Sequence, residues 1–461
     1  MRDPCVRTIR PGAGQALIAF GCFALLAAPV ASTQERAQQP YRAAVDMVLV
    51  DCIVLDGAGH FVHGLTAADF RIFEEGEQVE IDFFSEQHFG RAPAPPVAPA
   101  PGETTHAEPP AGDADVIGLP RYLVLFVDAL NMAPNEWDRL RPELVRYLHE
   151  TLTPADQVLV AMLTPDRRLR VAPEFTSDAH VVEAALSYVR GNAEIRERTR
   201  LNEQRLVESL QVEEASAGGG DTGGSGGEAT ALRMGAALAG FFALERRDEV
   251  LHTLDTITGL AEHLDQTHDV PGPKSLLLIS GGIPEQPGSN YFYILEEYAE
   301  QADPAVRGQG GIGGYDPVSR RTSSNDGIEE QLTAAVGYLN RLNYTVYTID
   351  ARGAADFAGD PAASRARTPI SSDTRTQIFQ DAVSGLGSIA RGTGGLAFSG
   401  TNNFAAVIDD IHADTAYRYV LGYVPPQHDE KDVENGRFYR VRVEVSRSDV
   451  RVRARQGYVD R

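Results

Sequence analysis

Two aspartates stand where apolar runs end. Tyr122–Val127 is continuously apolar and is followed by Asp128; Tyr344–Ile349 is followed by Asp350. A third run, Ser275–Ser280, ends on a hydroxyl. Short apolar runs of this kind read as strands buried on both faces of a parallel sheet. Open parallel sheets bind ligands at the carboxyl ends of their strands. Asp128, Ser280 and Asp350 are therefore candidate ligand-binding residues, together with the loops that follow them. The plainer reading of each aspartate is a strand-end residue that accepts backbone hydrogen bonds, and for Asp350 that reading is preferred.

Signatures of catalysis are not expected. His149-Glu150 is followed by Thr151-Leu152-Thr153, so it does not open a His-Glu-x-x-His metal motif. A Gly-x-Ser-x-Gly nucleophile elbow is not expected either. The glycine-rich run Gly218–Gly227 lacks the lysine of a phosphate loop, because Lys274 follows Pro273 at a strand start. The eleven histidines show no clustering at ligand spacing. Of the three cysteines, Cys5 and Cys22 fall in an N-terminal leader, which leaves Cys52 alone and excludes a disulfide or a cysteine zinc site within the mature chain.

The chain that must position these residues has 461 of them and a formal net charge of −23. Acidity of that size argues against a nucleic-acid partner, which needs a basic field. Residues 1–32 read as a signal peptide: Arg2, Arg7 and Arg10 precede an apolar stretch from Ala13 to Val30, with small residues at Ala31 and Ser32. The stretch is short for a span, so cleavage is expected over an uncleaved anchor. No second transmembrane candidate follows, and the expected location is extracytoplasmic, periplasmic or secreted.

Residues 44–90 read as β-strands: Val45–Asp56, then Phe70 with Ile72, then an alternation at Val79, Ile81 and Phe83. Residues 91–120 are a Pro/Ala-rich stiff linker. From 121 to 413 strands alternate with helices. Helices are expected at Asn135–Leu152, Ala179–Val189, Gly191–Val212, Thr230–Leu264, Ile328–Asn343, Ile378–Arg391 and Asn403–Ala413. Pro284–Asp326 and Gly353–Arg375 are expected as loops. The order implies an α/β, doubly wound and mainly parallel sheet covered on both faces. Residues 414–461 return to β, with Tyr439, Val441, Val443 and Val445 alternating with polar neighbours. Each end of the chain has a one-sided apolar face, so the two ends are expected to pair as a small β-domain into which the α/β domain is inserted. Arg440, Arg442, Arg451, Arg453 and Arg455 read as the solvated face of two edge strands; contact with an acidic partner is the alternative.

The strand Tyr122-Leu-Val-Leu-Phe-Val-Asp128 resembles the first strand of von Willebrand factor type A domains. Lys274-Ser-Leu-Leu-Leu-Ile-Ser-Gly-Gly282 falls where those domains place their fourth strand, and Asn343–Gly353 looks like the next. More narrowly, Val48–Gly57 with Val62–Phe70, and Tyr417–Pro426 with Val452–Tyr458, resemble the opening and ending of the "VWFA-related Acidobacterial domain" family. The resemblance implies a divalent cation, Mg²⁺, held by an Asp-x-Ser-x-Ser motif beginning at Asp128, by a loop threonine and by a fourth-strand aspartate. This sequence departs from that pattern. Leu130 and Met132 stand at the serine positions and Ser280 at the aspartate position. Asn131 offers an amide oxygen one residue out of step, and Thr222 or Thr230 is the threonine available. A hard cation needs oxygen ligands, so no cofactor is expected.

These readings lead to a non-catalytic, exported protein-binding or adhesion-type module. Its partner would be a protein or cell-envelope ligand meeting the loops around Asp128, Asn131, Ser280 and Asp350. A structural envelope scaffold is the alternative, and a hydrolase with an unrecognised site ranks below both.

Overall fold

A computed structural model describes residues 7–8, 47–89, 120–217, 225–268, 270, 274–301, 327–354, 371–434 and 436–459. The expected leader (apart from 7–8), residues 91–119 of the linker, Thr222 and most of the glycine-rich run lie outside the described residues.

The protein is mixed α/β, with one mostly parallel sheet and two antiparallel sheets. In chain order the elements begin with β1 (Arg7–Thr8), β2 (Val48–Leu55), β3 (Phe70–Glu74), β4 (Glu77–Val79) and β5 (Phe83–His88). The α/β region follows with β6 (Arg121–Asp128), α1 (Pro134–Thr151), β7 (Asp156–Leu163), β8 (Leu169–Val171), α2 (Ala179–Leu186), α3 (Glu194–Ala217) and α4 (Ser225–Thr267). It continues through β9 (Lys274–Ser280), α5 (Ser289–Gln301), α6 (Ile328–Arg341), β10 (Tyr344–Asp350), α7 (Ser372–Gly392), β11 (Ala397–Phe398) and α8 (Phe404–Thr415). The chain closes with β12 (Tyr417–Tyr423), α9 (Glu430–Glu434), β13 (Phe438–Val445), β14 (Arg451–Ala454) and β15 (Gly457–Val459).

The large sheet has the order β1-β8-β7-β6-β9-β10-β11. The strands from β7 through β11 run parallel, and β8 and the two-residue β1 are antiparallel at one edge. Side chains alternate across it because successive residues of a strand face opposite sides. Val124 and Phe126 pack into a core that holds Leu254 and Ile257 of α4, Leu339 of α6 and Ile389 of α7. Leu123, Leu125 and Val127 pack into a second core with Trp137, Leu140 and Leu144 of α1, Leu186 of α2 and Ile408 of α8. Burial of each such side chain is worth about 1.5–3 kcal/mol, which explains why the strand runs are apolar without interruption.

Local signals set the helix starts. Asp178 caps α2, its side chain accepting from the His180 amide at 2.9 Å, and Pro134 occupies the first turn of α1. Two expectations are corrected. Pro284–Asp326 is not loop throughout, since α5 buries Tyr291, Phe292, Ile294 and Leu295. Its helical spacing is short and is hidden between glycine- and proline-rich flanks. Helix α7 begins earlier than Ile378, at Ser372, because Ser371 supplies a cap to the Thr374 amide.

Strands from the two chain ends pair with one another. β2 lies between β12 and β14, and β12 also pairs β5. β13 lies between β3 and β15, with β4 outside β3. The two four-stranded sheets enclose a core of Val50, Cys52, Phe70, Ile72, Tyr419, Tyr423, Val441 and Tyr458. The alternation from Val79 to Phe83 is not a single strand: the chain leaves β4 in one sheet and enters β5 in the other. The arginines are also corrected in part. Arg440, Arg442 and Arg451 are exposed, but β13 is interior to its sheet, and Arg453 and Arg455 turn inward. Arg453 binds Asp414 of α8, and Arg455 binds Asp51 and the carbonyl of Asn340 at the end of α6.

Candidate functional site

Asp128, Ser280 and Asp350 close three neighbouring parallel strands, β6, β9 and β10, so the sheet brings them to one edge. Asp128 is fully buried. Its Oδ1 accepts from the backbone N–H of Asn131 at 3.2 Å, and its Oδ2 accepts from Asn131 Nδ2 at 2.8 Å and from Ser280 Oγ at 2.7 Å. Ser280 Oγ accepts in turn from the Gly282 amide at 3.2 Å. Asp350 sits beside Ser280 in the sheet, but its carboxylate faces a different partner. Arg352 donates from its backbone N–H and Nε to Oδ1 and from Nη2 to Oδ2.

Sequence reasoning missed the groups that complete this edge, which come from α3 and α4. Asn131 Nδ2 also donates to Thr253 Oγ1 at 3.1 Å, and Arg246 Nη1 donates to Asn131 Oδ1 at 2.9 Å. The same Nη1 donates to Glu249 Oε2 at 2.8 Å, and Arg198 of α3 binds the other Glu249 oxygen. Arg246, Glu249 and Thr253 recur at helical spacing on one face of α4; that spacing is the signal that was available. Thr253, rather than Thr230, is the α4 threonine that reaches the edge.

Burial pushes the Asp128 carboxyl above the usual carboxylate range, with the hydrogen bonds from Ser280 and Asn131 and the charge of Arg246 pulling it back. Burial pushes the Arg246 guanidinium down to about 10, opposed by Asp128. A cation at Asp128 does not suit these residues. Both carboxylate oxygens are taken up by N–H and O–H donors, the flanking Leu130 and Met132 are buried apolar side chains, and a guanidinium already brings positive charge to the edge. Mg²⁺ would have to displace these donors, and the neighbouring oxygens of Asn131, Ser280 and Thr253 are themselves engaged in hydrogen bonds.

The loop after Asp128 also lies against the loop after β9. A Cβ on Gly281 would fall 2.0 Å from the Asn131 carbonyl oxygen, so only glycine permits this approach. In front of the two loops opens a cleft of about 310 Å³. Its lining includes Arg196, Arg200, Arg246 and Arg352, with Glu203 and Asp381 as the acidic members. Arg196 pairs with Glu136 and Arg200 with Glu197. Glu203 accepts from Asn290 Nδ2 at 2.6 Å, and burial raises its carboxyl to about 7. Asp381 accepts from the Ser289 hydroxyl. On another face of α4, Met234, Phe241 and Leu244 are exposed.

Two further sequence readings need correction. The pentapeptide Gly223-Gly224-Ser225-Gly226-Gly227 does fit the Gly-x-Ser-x-Gly pattern. Ser225 opens α4, however, and the described element before it is helix α3, whereas a nucleophile elbow joins a strand to a helix. Among the described residues, histidines do cluster at one place: His149 in the last turn of α1 meets His180 and Glu183 of α2. The sequence signal was His180-x-x-Glu183, one helical turn apart.

Comparison with protein-family models, with curated proteins and with solved structures finds no match to this chain. Among the described residues, no helix is long and apolar enough to cross a membrane.

Proposed function

We propose that this chain is an exported, non-catalytic binding module of the type A-like, doubly wound class, and that it engages a protein or cell-envelope ligand without a metal. The observation that carries this reading is the arginine-lined cleft in front of the loops that follow β6 and β9, at the carboxyl ends of the parallel strands, where open α/β sheets bind ligands. Arg246 lines the cleft, while Met234, Phe241 and Leu244 stand in solvent on another face of α4. Aromatic, methionine and arginine side chains are the types enriched at the cores of protein interfaces. Isolated exposed apolar residues are ordinary, but three on one face of one helix offer a partner an apolar contact in addition to the polar cleft. The engaged state of Asp128 supports the metal-independent part of the proposal.

The test is capture of a partner from the native envelope by the full chain, with crosslinking, in buffer containing EDTA. Wild type is expected to retain a partner that Phe241→Asp and Arg246→Ala each lose. Retention of the same partner by both variants would reject this edge as the binding surface.

One observation favours a second reading, a hydrolase. Glu203 lies in the cleft with its carboxyl held near 7, where a general base works best. Broad substrate profiling of wild type and Glu203→Gln decides it: turnover that disappears in the variant would favour the hydrolase.

A further inference from the structure

The end of α1 remote from the cleft carries a separate constellation. Helix α1 starts just beyond the carboxyl end of β6, and its 18 residues span about 27 Å. His149 in its last turn therefore lies at the opposite edge of the sheet from Asp128. There it faces the first turns of α2. His149 Nε2 lies 2.8 Å from Glu183 Oε2, and the His149 and His180 rings meet edge to face with centroids 4.7 Å apart. One donor atom from each of the three residues falls within 4.8 Å of the others.

We propose that His149, His180 and Glu183 form a binding site for a divalent transition-metal ion, Zn²⁺, with an open fourth position. Two imidazole nitrogens and one carboxylate oxygen are ligands that Zn²⁺ takes, at about 2.0–2.2 Å, and three protein ligands leave room for water or a fourth donor. A triangle of donors within 4.8 Å closes onto such an ion by side-chain rotation alone. The backbone already holds two of the ligands in register, because His180 and Glu183 sit one turn apart on a helix whose start is fixed by Asp178. The third comes from a different helix, so the ion ties α1 to α2. Both histidines are exposed, which keeps the site open to the medium. The ligand type selects against Mg²⁺, which requires an oxygen set that imidazoles do not provide.

Calorimetric titration of the full chain with ZnCl₂ tests this, with MgCl₂ as the control. Wild type is expected to bind a single Zn²⁺ at this place and to ignore Mg²⁺. His149→Ala and His180→Ala should each weaken Zn²⁺ binding by more than about tenfold, the least that loss of even an outer-shell partner produces. Glu183→Gln should weaken it as well, since the neutral amide cannot supply the carboxylate charge. Added Zn²⁺ should raise the thermal midpoint of wild type and leave that of the H149A/H180A variant unchanged. The substituted side chains are at the surface, and circular dichroism checks that the variants keep their fold. Zn²⁺ binding of equal strength in the double variant, or none in wild type, would overturn the proposal and leave an exposed histidine–glutamate pair. Either result is independent of the cleft at the other edge.

Discussion

Arg246 donates a hydrogen bond of 2.9 Å to the side-chain oxygen of Asn131, and Asn131 in turn donates twice to Asp128. The positive charge at this sheet edge is thus supplied by a helix.

Titration of wild type and Asp128→Ala with Mg²⁺ or Mn²⁺ should give no heat assignable to Asp128, because the carboxylate oxygens are already engaged. The variant should still lose about 1–3 kcal/mol of stability in urea, since the Ser280 hydroxyl and the Asn131 amide would be left without their acceptor in a buried place. A metal heat present in wild type and absent in the variant would contradict the fit argued above.

Gly281→Ala should destabilise by about 1–3 kcal/mol, because the new methyl group collides with the Asn131 backbone and the loop must move. Partner binding should fall with it, as that loop borders the cleft. Denaturation midpoints and the envelope capture assay read the two effects separately.

Glu203 makes stability depend on pH. Its folded carboxyl titrates near 7, above the usual 4.5 of the unfolded chain, so the folded state holds the proton more tightly. Its stabilising contribution is complete below pH 4.5 and is lost as pH rises through about 7. Partial solvent access limits the loss to about 2 kcal/mol. Urea midpoints between pH 5 and pH 8 should show this slope in wild type and a flatter profile in Glu203→Gln.

Asn340 joins the two parts of the molecule. Its amide donates to the Gly457 carbonyl at 2.6 Å and the Gly392 carbonyl at 3.0 Å, while its own carbonyl accepts from buried Arg455. Asn340→Ala should cost about 1–3 kcal/mol. It should also broaden or split a single calorimetric transition, because the β-sheets and the α/β region would unfold with less coupling. A sharp, unshifted transition would argue that these bonds do not couple them.

Much of the architecture was legible in the sequence because its signals are local. Periodicity alone placed β6, β7, β9, β10, α1 and α8 to within a few residues, as their apolar faces must be buried somewhere. The strict alternation from Tyr439 to Val445 marked a strand with one dry face. The α5 helix was hidden by its flanks, and the inward turn of Arg453 and Arg455 was hidden because alternation tells which residues share a face but not what that face meets.

The sequence by itself determined that Asp128, Ser280 and Asp350 end apolar strands and that Leu130 and Met132 bring no oxygen beside Asp128. Only the tertiary structure decided which of these residues meet. Strand order puts Ser280 against Asp128, and a long helix returns over the sheet to set Thr253 and Arg246 on Asn131. The same is true of His149 with His180 and Glu183, which are separated along the chain by a strand pair and a turn. Helical and strand periods act over a few residues, whereas these contacts are fixed by how whole elements stack to bury their apolar faces, and no short-range pattern encodes that choice.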